Sequence, residues 1–389
     1  MNRRQFLTLT GTFTGGALLL PDFLHAFGSQ QNLHIGEQCL VFIQLNGGND
    51  GLNTFIPYED PLYYDFRPKI AISKLDVIAA SSGMAFHPAL KNFANMQQDG
   101  QLSVIQNVGY PDPVRSHFRS QEIWQTAADS NEYLDNGWLG RYLDLQCKEH
   151  NPTAAVNIDT INNLALRGQE PNSITVRDPS RMKYKPNDYN QSRLSENPQL
   201  DFVRKVANSA AEGSEDIRVA LSKVSASDAL YPKTDLAKNL EWISKLIKGN
   251  LNSKVYYTSL NGFDTHDNQL PLHKGRLSVL NDAVFGFYND MKKSGLLSQV
   301  TVVVFSEFGR RVKDNGRGTD HGTAAPMFVI GGNNKGQTIG KNPDLINLSR
   351  GDLQHDIDFR SVYAALLKYK MDFDPKTIGI SNLALKGLF

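Results

Sequence analysis

The run Val300–Phe305 (VTVVVF) constrains the fold more than any other stretch of the chain. It is β-branched and apolar almost throughout, with no polar alternation, so it reads as a strand buried on both faces. It ends abruptly in Ser306-Glu307-Phe308-Gly309, and Asp320-His321-Gly322 follow soon after. Four further runs have the same character: Cys39–Leu45, Leu102–Val108, Lys254–Leu260 and Met327–Ile330. Ahead of VTVVVF, the residues Leu277, Leu280, Val284, Phe287, Tyr288 and Met291 recur at three- and four-residue steps, which marks an amphipathic helix. Short buried strands separated by helices predict an α/β protein whose mostly parallel sheet is covered on both faces.

The 389 residues suffice for one large domain or two smaller ones. Lys and Arg total 41 against 40 Asp and Glu, and no basic block with interleaved aromatics occurs, which argues against a nucleic-acid partner. The amino terminus differs from the rest. Arg3-Arg4-Gln5-Phe6-Leu7 precedes a weakly apolar stretch to Leu20 containing Gly11, Gly15 and Gly16. That pattern resembles a twin-arginine export signal, expected over residues 1–28, and is too short and glycine-rich for a spanning helix. The expected location is periplasmic or secreted. Nothing later reaches about 18 continuous apolar residues, so no integral membrane segment is expected after signal removal. The two cysteines, Cys39 and Cys147, sit in apolar contexts and read as free thiols rather than a disulfide. Residues 29–389 form the expected main domain. Within it, a polar stretch at about 151–232, broken by Pro171, Pro179, Pro186 and Pro198, reads as an insertion or cap. Helical patches are expected there over Gln199–Asn208 and Glu215–Ser222.

Ligands in parallel α/β sheets bind beyond the carboxyl ends of the strands. Here those ends are rich in groups that hold metals: Asp50 after the first run, Arg115-Ser116-His117 after the second, Asp264 and His266 after the third. Glu307 ends the fourth, and Asp320-His321 precede the fifth. Each has a plain structural reading as well. Asp50 beside Gly51 suits a turn, Ser116 suits a helix N-cap, and Glu307 could pair with Arg310 or Arg311. Carboxylates and imidazoles gathered at one rim are costly without positive charge among them, which favours one or two divalent metal ions. Zn or Mn suits such donors, and Mg or Ca suits them if few histidines coordinate. A serine opening a helix adds donors for an anion. His355, Asp356 and Asp358, before a helix expected over Phe359–Lys368, read as supporting groups or caps.

The set Asn49-Asp50-Gly51-Leu52-Asn53, Arg115-Ser116-His117-Phe118, Gly262-Phe263-Asp264-Thr265-His266, Ser306-Glu307-Phe308-Gly309-Arg310 and Asp320-His321-Gly322 resembles the bacterial family called domain of unknown function 1501. That family is similar to the alkaline phosphatase and sulfatase superfamily. The resemblance implies a three-layer, alkaline-phosphatase-like sandwich and a metal site holding Asp50, Asp264, His266, Glu307 and His321, to which Asp320 is added as a ligand that could compensate for Phe308. It implies Ser116 as nucleophile, with His117 or Arg115 steadying the anion. Three departures stand out. Phe308 occupies the place of a usual metal-binding histidine, so a second metal site has lost a ligand; Asp264 and His266 are two apart, closer than the usual spacing; and the sulfatase signature is absent. The implied activity is hydrolysis of phosphate or related esters, on a small ester or a surface polymer. The alternative is a non-catalytic exported protein that binds a surface polymer or a partner protein.

Overall fold

The computed structural model describes residues 38–147, 150–182, 197–224 and 229–389. The export signal expected over residues 1–28 lies outside them. The chain order begins with β1 (Cys39–Asn46), then, past three two-residue strands β2 (Phe55–Ile56), β3 (Ile78–Ala79) and β4 (Ala85–Phe86) that form a small sheet of their own, β5 (Leu102–Gly109). Next come β6 (Ala155–Ile158), β7 (Ser173–Val176), β8 (Val255–Asn261), β9 (Val300–Ser306) and β10 (Ala325–Gly331), and last the short β11 (Thr338–Ile339) and β12 (Ile357–Asp358). The main sheet runs β11-β5-β10-β9-β1-β8-β6-β7, with β12 also on β5. β10 is antiparallel to both neighbours, and every other pairing in this sheet is parallel.

Successive residues of a strand face opposite sides of the sheet, and each side here has its own helices. Leu40 and Phe42 of β1 join Val303 and Phe305 of β9 in a core with Trp124, Trp138 and Tyr363. Those three come from helices His117–Thr126, Trp138–Gln146 and Phe359–Lys370. On the other side, Phe328 of β10 meets Phe93 of helix Lys91–Gln98 edge-on at 5.3 Å. Helix Gln269–Lys293 buries Leu277, Leu280, Val284, Phe287 and Met291 there, the stripe its spacing marks. The result is a mixed α/β sandwich, a large mostly parallel sheet between helical layers.

The stretch expected to be an insertion or cap over the sheet is partly the sheet itself. β6 and β7 extend it beyond β8, pairing in parallel. Helix Pro198–Ser222 is continuous where two separate patches were expected, capped by the Asn197 side chain on the amides of Gln199 and Leu200. Both cysteines are free, with Cys39 buried. Among the described residues no helix is long and apolar enough to cross a membrane.

Register sets where the turns leave the sheet. Leu45 lies beside Ser306 and Asn46 beside Asn261, so β1, β8 and β9 end at one level. β5 points the same way, because β10 runs against both it and β9.

Candidate metal centre

The turn after β1 is shaped by Gly47 and Gly48, at φ +118° and +78°. Both adopt backbone that a side chain rarely tolerates. A Cβ on Gly47 would lie 2.4 Å from the amide nitrogen of Asp264, and one on Gly48 2.3 Å from the Phe308 ring. The three turns therefore close on each other without gaps. Arg310, buried, ties them together. Its Nε donates to the Gly48 carbonyl at 2.8 Å and its Nη1 to the Thr319 carbonyl at 2.9 Å. Its Nη2 donates to the Phe263 carbonyl at 3.0 Å and to Asp264 Oδ1 at 2.5 Å.

Within this frame three imidazoles surround one carboxylate. Nε2 of His266 lies 3.0 Å from Asp264 Oδ1, and Nε2 of His321 lies 3.1 Å from the same oxygen. Nε2 of His117 lies 3.4 Å from Asp264 Oδ2. The other nitrogen of each ring is occupied by an acceptor. His117 Nδ1 meets Glu307 Oε1 at 2.9 Å, His266 Nδ1 meets Asp320 Oδ1 at 3.1 Å, and His321 Nδ1 meets the Arg115 carbonyl at 2.9 Å. Each ring therefore has an acceptor on both sides, a backing group at Nδ1 and the Asp264 carboxylate at Nε2, and with the proton on Nδ1 each Nε2 becomes an inward lone pair that can bind a cation.

Lone pairs so arranged repel. The Nε2 atoms of His266 and His321 are 3.0 Å apart, and His117 Nε2 is buried with no hydrogen-bond partner. A cation in their midst would turn this repulsion into coordination. His117, Asp264 and His321 bring ligand atoms to within 4.8 Å of one another, and His266 adjoins them. Three imidazole nitrogens and one carboxylate form a donor set that suits a tetrahedral ion such as Zn. The residues fit a metal.

The carboxylate at the centre is held ionised. Burial alone would raise the Asp264 carboxyl, but the hydrogen bond and charge of Arg310, aided by His321 and His117, hold it down at about 2. The hydrogen bond from His117 to Glu307 raises the histidine above its ordinary value, against the opposing effect of its burial.

The structure corrects several roles expected from sequence. Asp50 does not join the cluster. It is fully buried and bound to Arg67 at 2.7 Å, with Gln269 donating to the same oxygen. Burial would raise its carboxyl, and Arg67 beside it holds it below the usual range. Glu307 stands behind His117 rather than beside it in the cluster, because its Oε1 already accepts from Gly47 N at 2.9 Å and from the imidazole. Its suggested pairing with Arg310 is not formed, since Arg310 takes Asp264 instead. Asp320 likewise backs His266, and Arg311 reaches the Arg350 carbonyl at 2.8 Å.

His117 moves the other way, from anion partner to cluster member. Arg115 contributes its carbonyl to His321, and its guanidinium pairs with Asp352 at 3.1 Å. Ser116 does occupy the N-cap position of helix His117–Thr126, yet its side chain makes no capping hydrogen bond. Asp358 is a cap, accepting from Arg360 N at 2.9 Å. Phe308 is buried as a floor under the imidazoles, with ring centres 4.9 Å from His117 and 5.0 Å from His321. Sequence reasoning missed Arg67 and the central place of Arg310. An arginine three residues past a strand-end carboxylate was the available signal for the second.

Fold and cluster together define an α/β protein with a histidine and carboxylate centre at the carboxyl rim of its sheet. The chain belongs to the family described as Protein of unknown function (DUF1501), whose model matches residues 37–376. No curated protein matches the sequence. Among solved structures, Ps i-CgsB in complex with k-i-k-neocarrahexaose is similar at 9% identity and TM-score 0.43, over 90% of this chain and 75% of that one. The C-terminal periplasmic domain of EcEptC from Escherichia coli, in complex with Zn, is similar at 10% identity and TM-score 0.37, over 76% and 72%. The soluble domain of lipooligosaccharide phosphoethanolamine transferase A from Neisseria meningitidis is similar at 10% identity and TM-score 0.35, over 76% and 77%.

Proposed function

We propose that the protein is an exported hydrolase of phosphate or related esters that depends on one divalent metal, Zn or Mn in first place, held by His117, Asp264, His266 and His321. The observation that carries this reading is the backing of every Nδ1 by an acceptor while every Nε2 faces the same carboxylate. A bound divalent ion supplies a Lewis acid for an ester oxygen there. The rest falls to the chain. Glu307, Asp320 and the Arg115 carbonyl hold the three imidazole protons on Nδ1 and fix the ring planes. Phe308 closes the floor against water. Ser116 keeps its hydroxyl unspent at the first turn of a helix, where backbone donors and the dipole favour an anion. It is the group to attack the ester. One metal rather than two follows from Phe308 packing where a further histidine would stand. Export and a periplasmic or secreted location rest on the twin-arginine pattern at residues 2–20.

Protein purified without added metal should carry near-stoichiometric zinc or manganese by elemental analysis, and His321→Ala should lose it. Ser116→Ala should keep the metal and lose turnover of its best ester by about a thousandfold or more, as removal of a nucleophile does. Metal-free wild-type protein, inactive across a broad panel of phospho- and sulfo-esters, would refute the reading. The missing ligand at Phe308 also suits the second reading, a non-catalytic binding or assembly protein. In that case Ser116→Ala leaves the biological phenotype intact.

A further inference from the structure

A cavity of about 370 Å³ adjoins the cluster, lined by Tyr110, Asp112, Arg115, Thr323, Arg350 and His355 among others. Arg115 belongs to both: its carbonyl holds His321 Nδ1 at 2.9 Å while its side chain lines the cavity. Thr323 follows His321 by two residues on the way into β10. Whatever occupies this cavity therefore lies next to a substrate at the metal.

Two guanidinium groups on its wall have capacity to spare. Arg115 uses one nitrogen, Nη2, on the nearly buried Asp352, and its Nε is buried with no hydrogen-bond partner. The side chain as a whole is 32% exposed, so the rest of the guanidinium stays open to an acceptor from outside. Arg350 is exposed, and among the described residues its guanidinium enters no ion pair. It sits at φ +52° in the tight turn Ser349–Asp352, closed by backbone hydrogen bonds of 2.9 and 3.0 Å. That conformation is uncommon for a side chain of its size. The one acid lining the cavity is Asp112, which is exposed to solvent. Arginine is the residue suited to planar, forked binding of an oxyanion.

We propose that Arg115 and Arg350 hold a second oxyanion group, phosphate or sulfate, on the part of the substrate beyond the reacting ester. The substrate class narrows accordingly to esters carrying two anionic groups, such as a doubly phosphorylated or sulfated compound. The inference rests on the hydrolase reading for its word "substrate", but the cavity can be tested without the metal. Inorganic phosphate, and separately inorganic sulfate, is titrated calorimetrically into wild-type protein stripped with a chelator. Binding in the millimolar range or tighter is expected, with the same affinity in His321→Ala.

Arg350→Gln should weaken that binding about tenfold or more, the loss of one charge-assisted contact. Arg115→Gln strands Asp352 and could unfold the protein, so the paired Arg115→Gln, Asp352→Asn variant is the companion and should weaken it similarly. Phosphate or sulfate binding tells the two chemistries apart by which ion is held more tightly. No binding of either ion to the wild type, or Arg350→Gln binding within twofold of it, overturns the proposal. If metal content fails while anion binding holds, the hydrolase reading falls and the oxyanion site stands. If metal and turnover hold while Arg350→Gln is neutral, only the oxyanion site falls.

Discussion

The carboxylates behind the imidazoles differ in burial, and that difference sets an expectation residue by residue. The Glu307 side chain is fully buried, whereas that of Asp320 is 65% exposed. A buried charge acts on its histidine through a low dielectric, and an exposed one is screened by water. Glu307→Gln keeps an oxygen for His117 Nδ1 and removes only the charge. It should lower metal affinity by about 10- to 100-fold, the usual scale for an outer partner of a metal-bound histidine. Asp320→Asn should cost clearly less. Competition against a chelator of known affinity measures both, and equal losses would show that burial is not what matters. Sequence carried the raw material for this: a carboxylate at the end of a buried strand is visible in VTVVVFSE. What it could not carry is which acid touches the ion and which stands behind a ring. That depends on hydrogen bonds such as Gly47 N to Glu307, which join residues 260 apart in the chain.

Among elements, the strand-to-loop turns matter most, because they position groups drawn from four strands. The turn after β1 has no room for one added carbon. A methyl at Gly48 would strike the ring of Phe308, which in turn supports His117 and His321. Gly48→Ala, at φ +78°, should therefore destabilise the fold by about 1–3 kcal/mol through overpacking and backbone strain. It should also weaken metal binding, although no ligand is altered. Thermal unfolding and elemental analysis of one sample separate the two effects. A variant with a lowered Tm and unchanged metal would show that Phe308 is not a support. The strands themselves were legible in sequence: β1, β5, β8, β9 and β10 begin and end within two residues of the apolar runs. β6 and β7 were not, because four-residue strands in a stretch rich in Pro, Asn and Ser carry too little pattern to outweigh their loop-like surroundings. The antiparallel direction of β10 was also hidden, since an apolar run reads the same either way.

Across the whole molecule, buried titrating groups far from the cluster decide how the fold meets acid. His87 and His273 are both buried, and burial pushes them down to about 3 and about 4 respectively. As pH falls from 6.5, the unfolded chain takes up two protons that the native state refuses, so these groups remove stability as acid is added. Asp352 works in the opposite sense. Burial pushes its carboxyl up to about 6, so between pH 6 and 4 the native state binds a proton that the unfolded chain, at 3.8, does not. Stability from that group is gained as pH falls and lost as pH rises through 6. Each group is worth up to about 1.4 kcal/mol per pH unit while it titrates in only one state. Among these three groups, two histidines against one aspartate leave a net loss near that of a single proton. Asp264, held at about 2, contributes only below pH 4 and stays outside the window. Asp352→Asn deletes the opposing group and keeps the shape of the side chain, so acid lability should steepen toward that of two protons. Urea midpoints measured at half-unit steps from pH 6.5 to 4 give the slope directly. An Asp352→Asn curve parallel to the wild type would mean that Arg115 keeps this carboxylate ionised throughout, and the guanidinium would then be less free for an anion than its partial exposure indicates.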